Sequence, residues 1–197
     1  TADGARVESW LFLPPGASVE TLVPAVIFFH GNSDYIETKI ENAEFYTSEG
    51  FACLMVEYRG YRRSTGEPGE SALRADAVAF YAVAAGLAGE RPVAALVMVS
   101  PFRSLPALFG RYGLPGALAR EDFDNIASIE AYAGPILIVH GEKDEIAPVR
   151  HARQLAEKAR ERATLLIYPG VDHDVPWDWR VFGRDLMDFY RAAGVAS

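Results

Sequence analysis

Residues 136–148 read ILIVHGEKDEIAP. Four apolar residues in a row, without polar alternation, indicate a strand covered on both faces, as in a parallel sheet. The run stops at His140-Gly141, and a charged loop carrying Asp144 follows. The same arrangement recurs along the chain. Ala25–Phe29 precedes His30-Gly31-Asn32-Ser33, and Phe51–Val56 precedes Glu57-Tyr58-Arg59-Gly60. Val93–Val99 precedes Ser100-Pro101-Phe102, and Leu165–Tyr168 precedes Pro169-Gly170-Val171-Asp172-His173. Helical patterns separate these runs, over 38–49, 71–87, 149–161 and 177–192. The second repeats Leu73, Ala77, Phe80, Tyr81, Ala84 and Leu87 at three- and four-residue spacing. Gly50 suits a helix C-cap. Arg6–Leu13 alternates and predicts an antiparallel edge strand. Strands alternating with helices give an α/β fold: a mostly parallel sheet between helical layers, joined by right-handed crossovers.

The 197 residues, half of them hydrophobic, suit a single domain with a substantial core. A net charge of −8, from 27 acidic against 19 basic residues, excludes the basic face that a nucleic-acid partner demands. The longest nearly apolar run, Ala77–Ala88, is too short to span a bilayer. No secretory signal opens the chain, although it starts at Thr1 and an upstream segment could have been trimmed. Cys53 lies inside an apolar strand and reads as a core residue; a single cysteine fits a reducing, cytoplasmic compartment. No His, Cys and Asp residues stand at metal-ligand spacing, and Gly60–Gly69 matches no phosphate-binding loop, so neither metal nor cofactor is expected.

In open α/β sheets the chemistry gathers at the carboxyl ends of the strands. Asp144 and His173 both occupy such ends. A carboxylate on one loop and an imidazole on the next can meet, the carboxylate holding the ring in one tautomer. Alone, each is an ordinary turn residue; in this order, each directly after a strand, they read as a catalytic pair. His30-Gly31-Asn32 offers a turn in which a backbone N–H can face developing negative charge. His30 and His140 read as hydrogen-bonding structural histidines, and His151 as a surface residue of a helix.

FFHGNSDYI, VEYRGYRRSTGEPGE, ALVMVSPFRSL, ILIVHGEKDEIAP and PGVDHD, taken in order, resemble the serial motifs of the α/β-hydrolase superfamily. They are most similar to the small serine hydrolases of the BEM46/ABHD13 type, which lack a large cap domain. The resemblance implies that Asp144 is the acid, His173 the base and the Asn32 backbone N–H an oxyanion donor. It also implies that Tyr58, Arg59, Gly60 and Tyr61 flank the site. Arg62 stands where the family usually has glycine. The implied activity is hydrolysis of an ester, thioester or related acyl bond of a small molecule, without a cofactor.

The superfamily also needs a serine on a Gly-x-Ser-x-Gly turn between strand and helix. None of the ten serines here stands in that motif. In the family, the helix after YRGY leads to a central strand, the serine turn and a second helix. Here the helix over 71–87 runs directly into GERPVAALVMV, as though that unit had been cut out and two half-helices fused. The strands flanking the cut would then become neighbours. Ser100, at the end of its strand, is a possible substitute nucleophile; Ser33 is a weaker one. Pro106–Asn125, the only long excursion, carries Leu, Phe and Tyr residues that could line an acyl pocket. Two other readings stay open: an α/β-hydrolase relative that binds a ligand or partner without catalysis, and a flavodoxin-like binding domain, against which the missing phosphate loop counts.

Overall fold

The structure, a computed structural model, describes residues 1, 3–89, 93–173 and 179–196, with only the backbone at residue 87. The chain divides into two compact units, Thr1–Pro92 and Val93–Ser197.

The first unit contains β1 (Ser9–Phe12), β2 (Ala25–Phe29), α1 (Ile40–Ser48, entered through a short 3-10 turn at Ile36–Lys39), β3 (Ala52–Val56) and α2 (Glu70–Ala88). Its sheet has the order β1-β3-β2. As the alternation predicts, β1 is an antiparallel edge strand, with Ser9 opposite Val56 and Phe12 opposite Cys53. β2 runs parallel to β3, from Ala25 against Ala52 to Phe29 against Val56. Every residue of the central strand β3 is buried. Leu54 and Val56 pack with Phe80 and Ala84 of α2, and Val7, Ala25 and Ile27 border the cluster. Gly50 adopts φ +86°, where glycine carries no steric penalty, and its N–H bonds the Thr47 carbonyl to end α1. Tyr81, expected on the inner face of α2, is exposed instead, as is Val78; Asp76 takes an inner position because Arg59 pairs with it.

The second unit contains β4 (Leu96–Val99), α3 (Leu105–Arg111), α4 (Asn125–Ala131), β5 (Ile136–Gly141), α5 (Arg150–Ala159), β6 (Ala163–Tyr168) and α6 (Trp179–Ala192). Its sheet is wholly parallel, in the order β4-β5-β6. The apolar run at 136–139 extends two residues further than its hydrophobicity predicts, because His140 and Gly141 pair with Ile167 and Tyr168. Ile129, Ile136, Ile138, Ala152, Leu155 and Ala159 form the core. The excursion at 106–125 is more regular than expected. Ser104 caps α3 through the Ala107 N–H, and the Asp124 carboxylate caps α4 through the N–H groups of Ile126 and Ala127. The predicted helix over 177–192 is seen from Trp179 onward; residues 177 and 178 lie outside the described residues, as do 90–92 of the GERP break.

Among the described residues, β2 pairs with β3 in the first unit and β4 pairs with β5 in the second. Each unit closes a hydrophobic core of its own around a fully buried central strand, so neither depends on a joint ladder for its burial.

Candidate active site

In the second unit, the loop after β5 is clamped against the loop after β6. Glu142 N–H bonds the Tyr168 carbonyl at 3.0 Å and Lys143 N–H bonds the Val171 carbonyl at 2.9 Å. A side chain at Gly141 would place its Cβ 2.4 Å from the Val171 carbonyl oxygen, so this approach requires glycine. The clamp brings together the two residues that the sequence pairs. His173 Nδ1 lies 2.8 Å from Asp144 Oδ2. Asp144 is held from every side: Oδ1 accepts the N–H groups of Ile146 (2.9 Å) and Ala147 (2.8 Å), and Oδ2 also meets His140 Nε2 at 3.1 Å. With its carboxylate fully enclosed, Asp144 is a fixed anchor; the His173 side chain remains 29% exposed. Nδ1 facing a carboxylate assigns the proton to Nδ1, leaving Nε2 with its lone pair and, among the described residues, no partner. That is the arrangement of a general base.

His140 is structural, as expected: fully buried, with Nε2 also 2.6 Å from the Ala147 carbonyl. His151 is not a surface residue. It is buried on the inner face of α5, where loss of water pushes its pKa down. Ser100 follows β4 in the left-handed region, at φ +47°, and its hydroxyl is buried without a hydrogen-bond partner among the described residues. The structure therefore does not join Ser100 to His173. Tyr112, Leu114 and Leu118 on the excursion after α3 are exposed apolar side chains.

In the first unit, Asn32 lies in an exposed turn closed by the Asp34 N–H on the Gly31 carbonyl (3.1 Å), and its side-chain oxygen accepts from Tyr61 Oη at 2.7 Å. Sequence reasoning passed over Glu57, the partner of His30: His30 Nε2 lies 2.7 Å from Glu57 Oε1, and both side chains are 1% exposed. The available signal was a carboxylate directly continuing the apolar strand FACLMV. Arg59 is likewise buried, bonded to Asp76 and Asp3, and the two carboxylates push its pKa further up. Arg62 has φ +49°, which explains why glycine suits this position. Its guanidinium pairs with Glu37 at 3.1 Å and lies over the Tyr35 ring. Ser33 stands in the same exposed turn as Asn32. Cys53 is buried in β3, and burial pushes its thiol up to about 12. Among the described residues no three His, Cys, Asp or Glu side chains are grouped to hold a metal ion, and no helix is long and apolar enough to cross a membrane.

The alternating architecture is that of an α/β-hydrolase, and solved structures share this fold. Esterase 2 of Thermogutta terrifontis, in a form phosphonylated by sarin, superposes with a TM-score of 0.72 at 17% identity, over 98% of this chain and 96% of that one. Est1E of Butyrivibrio proteoclasticus, with ferulic acid bound, gives 0.70 at 18% identity, over 98% and 97%. The model of the family described as serine hydrolase (FSH1) matches residues 73–181. The uncharacterized protein Rv2307c of Mycobacterium tuberculosis is 34% identical, over 97% of this chain and 75% of its own. Human protein ABHD12B is 27% identical over 77% of this chain and 56% of its own. The chain belongs to the FSH1 serine hydrolase family of α/β-hydrolases.

Proposed function

We propose that this chain is a hydrolase of carboxylic ester, thioester or related acyl bonds in small molecules, with Asp144 and His173 as its acid–base pair. The observation that carries this reading is the 2.8 Å contact between His173 Nδ1 and an enclosed Asp144, with Nε2 left available. In the proposed reaction a hydroxyl nucleophile attacks the acyl carbonyl while His173 Nε2 takes its proton. The proton then passes to the departing alcohol or thiol, and water, activated by the same nitrogen, releases the acid. The Asn32 backbone N–H serves as an oxyanion donor. The exposed apolar residues Tyr112, Leu114 and Leu118 suit the acyl chain. Two similar structures, esterase 2 of Thermogutta terrifontis with propionate bound and Est1E of Butyrivibrio proteoclasticus with ferulic acid bound, hold carboxylic acids, and such acids are the products of ester cleavage.

A second reading, a relative that binds without catalysis, is favoured by the missing nucleophile. The alignment with Rv2307c runs over 218 residues, whereas 97% of this chain is about 191, so about 27 residues of the relative face no counterpart here. A strand, a turn and a helix are of that size. The test is incubation with a fluorophosphonate probe and with short p-nitrophenyl esters. Labelling of one serine, with turnover lost in His173→Ala, supports hydrolysis. A folded protein that neither labels nor turns over supports binding alone. The intact mass of the purified protein shows whether a further strand and helix accompany these 197 residues.

A further inference from the structure

We infer that His30 and Glu57 are positioning residues for the Asn32 backbone N–H. The buried imidazole, held by Glu57, donates from Nδ1 to the Gly31 carbonyl and so aims and strengthens that N–H as an anion donor. The inference rests on the role given to Asn32 above.

The Gly31 carbonyl and the Asn32 N–H are the two ends of one planar peptide unit and, in the trans form, point in opposite directions. Whatever grips the carbonyl sets the direction of the N–H. Two donors grip it: His30 Nδ1 at 2.8 Å and the Asp34 N–H at 3.1 Å. The Asn32 N–H has no acceptor among the described residues.

The ring itself cannot turn. Its Nε2 is 2.7 Å from Glu57 Oε1, which also accepts the Tyr58 N–H at 3.1 Å, while Glu57 Oε2 accepts the Ile36 N–H at 3.4 Å. Tyr58 Oη donates to the His30 carbonyl at 2.6 Å, fixing the residue's own backbone. Proton placement follows from these partners. A carbonyl only accepts, so Nδ1 carries a proton. A second proton lies between Nε2 and Oε1, and whichever atom holds it, the Nδ1–H bond to Gly31 persists. A carbonyl that accepts from such a polarised ring polarises its own amide, making the N–H at the other end a better donor.

A plain structural staple between the ends of β2 and β3 would use the same Nε2–Oε1 contact but would not require Nδ1 to reach Gly31. NMR of the full, 15N-labelled chain separates the two. The expected result is a protonated His30 Nδ1. In Glu57→Gln, whose amide can donate to Nε2 only by giving up the Tyr58 N–H, the Nδ1 proton and the Asn32 amide resonance should stay near their wild-type positions while the Tyr58 amide resonance moves. In the double variant His30→Phe with Glu57→Met, which leaves no unpaired carboxylate, the Asn32 resonance should move while the Trp10 indole resonance does not. Where the wild type cleaves p-nitrophenyl acetate, that double variant should lose about 10²-fold in kcat, the scale of one lost oxyanion donor, with KM within about threefold. An unprotonated Nδ1, or an Asn32 resonance that ignores the double variant, overturns the inference. If no ester is cleaved by any form, the hydrolase reading falls while the NMR outcome still decides the positioning; if the double variant does not fold, the wild type and Glu57→Gln decide it.

Discussion

Each unit of the chain holds an imidazole–carboxylate contact shorter than 3 Å, 2.7 Å at His30–Glu57 and 2.8 Å at His173–Asp144, and the two differ in what their second ring nitrogen meets. At His30 both ring nitrogens meet acceptors and the whole pair is buried. At His173 one nitrogen is anchored and the other has no partner among the described residues, on a ring that reaches solvent beside a carboxylate that does not. The contact distance does not tell a structural pair from a chemical one. The second ring nitrogen does, because a base needs a free lone pair and a brace needs none.

The comparison can be broken most directly at its open end. If hydrolysis is detected, His173→Ala should lower kcat/KM for p-nitrophenyl esters by at least about 10³-fold, while shifting stability by less than about 1 kcal/mol, since Asp144 keeps three donors and the lost ring is partly exposed. The closed pair should behave in the opposite way. Glu57→Ala leaves a buried imidazole without its partner, and urea unfolding should show a loss of about 3–5 kcal/mol. A small loss there would mean that the pair is not sealed.

Gly141→Ala tests the clamp that sets the open pair. The added methyl must displace the Val171 carbonyl, at a cost of about 1–3 kcal/mol. The downfield Nδ1 proton resonance expected for His173 bonded to Asp144 should weaken or disappear, and an unchanged resonance would show that the loops tolerate the shift.

The smallest effect belongs to His151, a third buried imidazole. Burial pushes its folded pKa down. As the pH drops below the ordinary histidine value of about 6.5, the unfolded chain takes up the proton before the folded one. This contribution to stability is therefore full above that pH and declines below it. His151→Leu should flatten the fall in urea midpoint between pH 8 and pH 5, and an equal slope in both proteins would refute the assignment.

Much of this was legible from the chain alone. Unbroken apolar runs marked β2, β3 and β5, since a strand covered on both faces has no polar alternation to hide it. Asp144 and His173, which meet in the structure, were singled out because strand ends locate chemistry in such sheets. Other features depended on distance in three dimensions. Glu57 lies 27 residues from His30, and Asp3 and Arg59 lie 56 apart, so no local pattern announces either pairing. On α2, Asp76 is buried against Arg59 while Tyr81 is exposed, and hydrophobic spacing carries no information about the carboxylate that a buried guanidinium requires.

The amino-acid sequence by itself determined the class of fold, the order of its elements and the pairing of Asp144 with His173, because these follow from local periodicity and from residues adjacent to strand ends. Only the tertiary structure decided which histidine has both ring nitrogens engaged among the described residues, that the Ser100 hydroxyl is buried without a partner among them, and which strands β2 and β4 pair with. Those outcomes depend on burial and on hydrogen-bond partners far away in the chain, and neither quantity exists until the chain has folded.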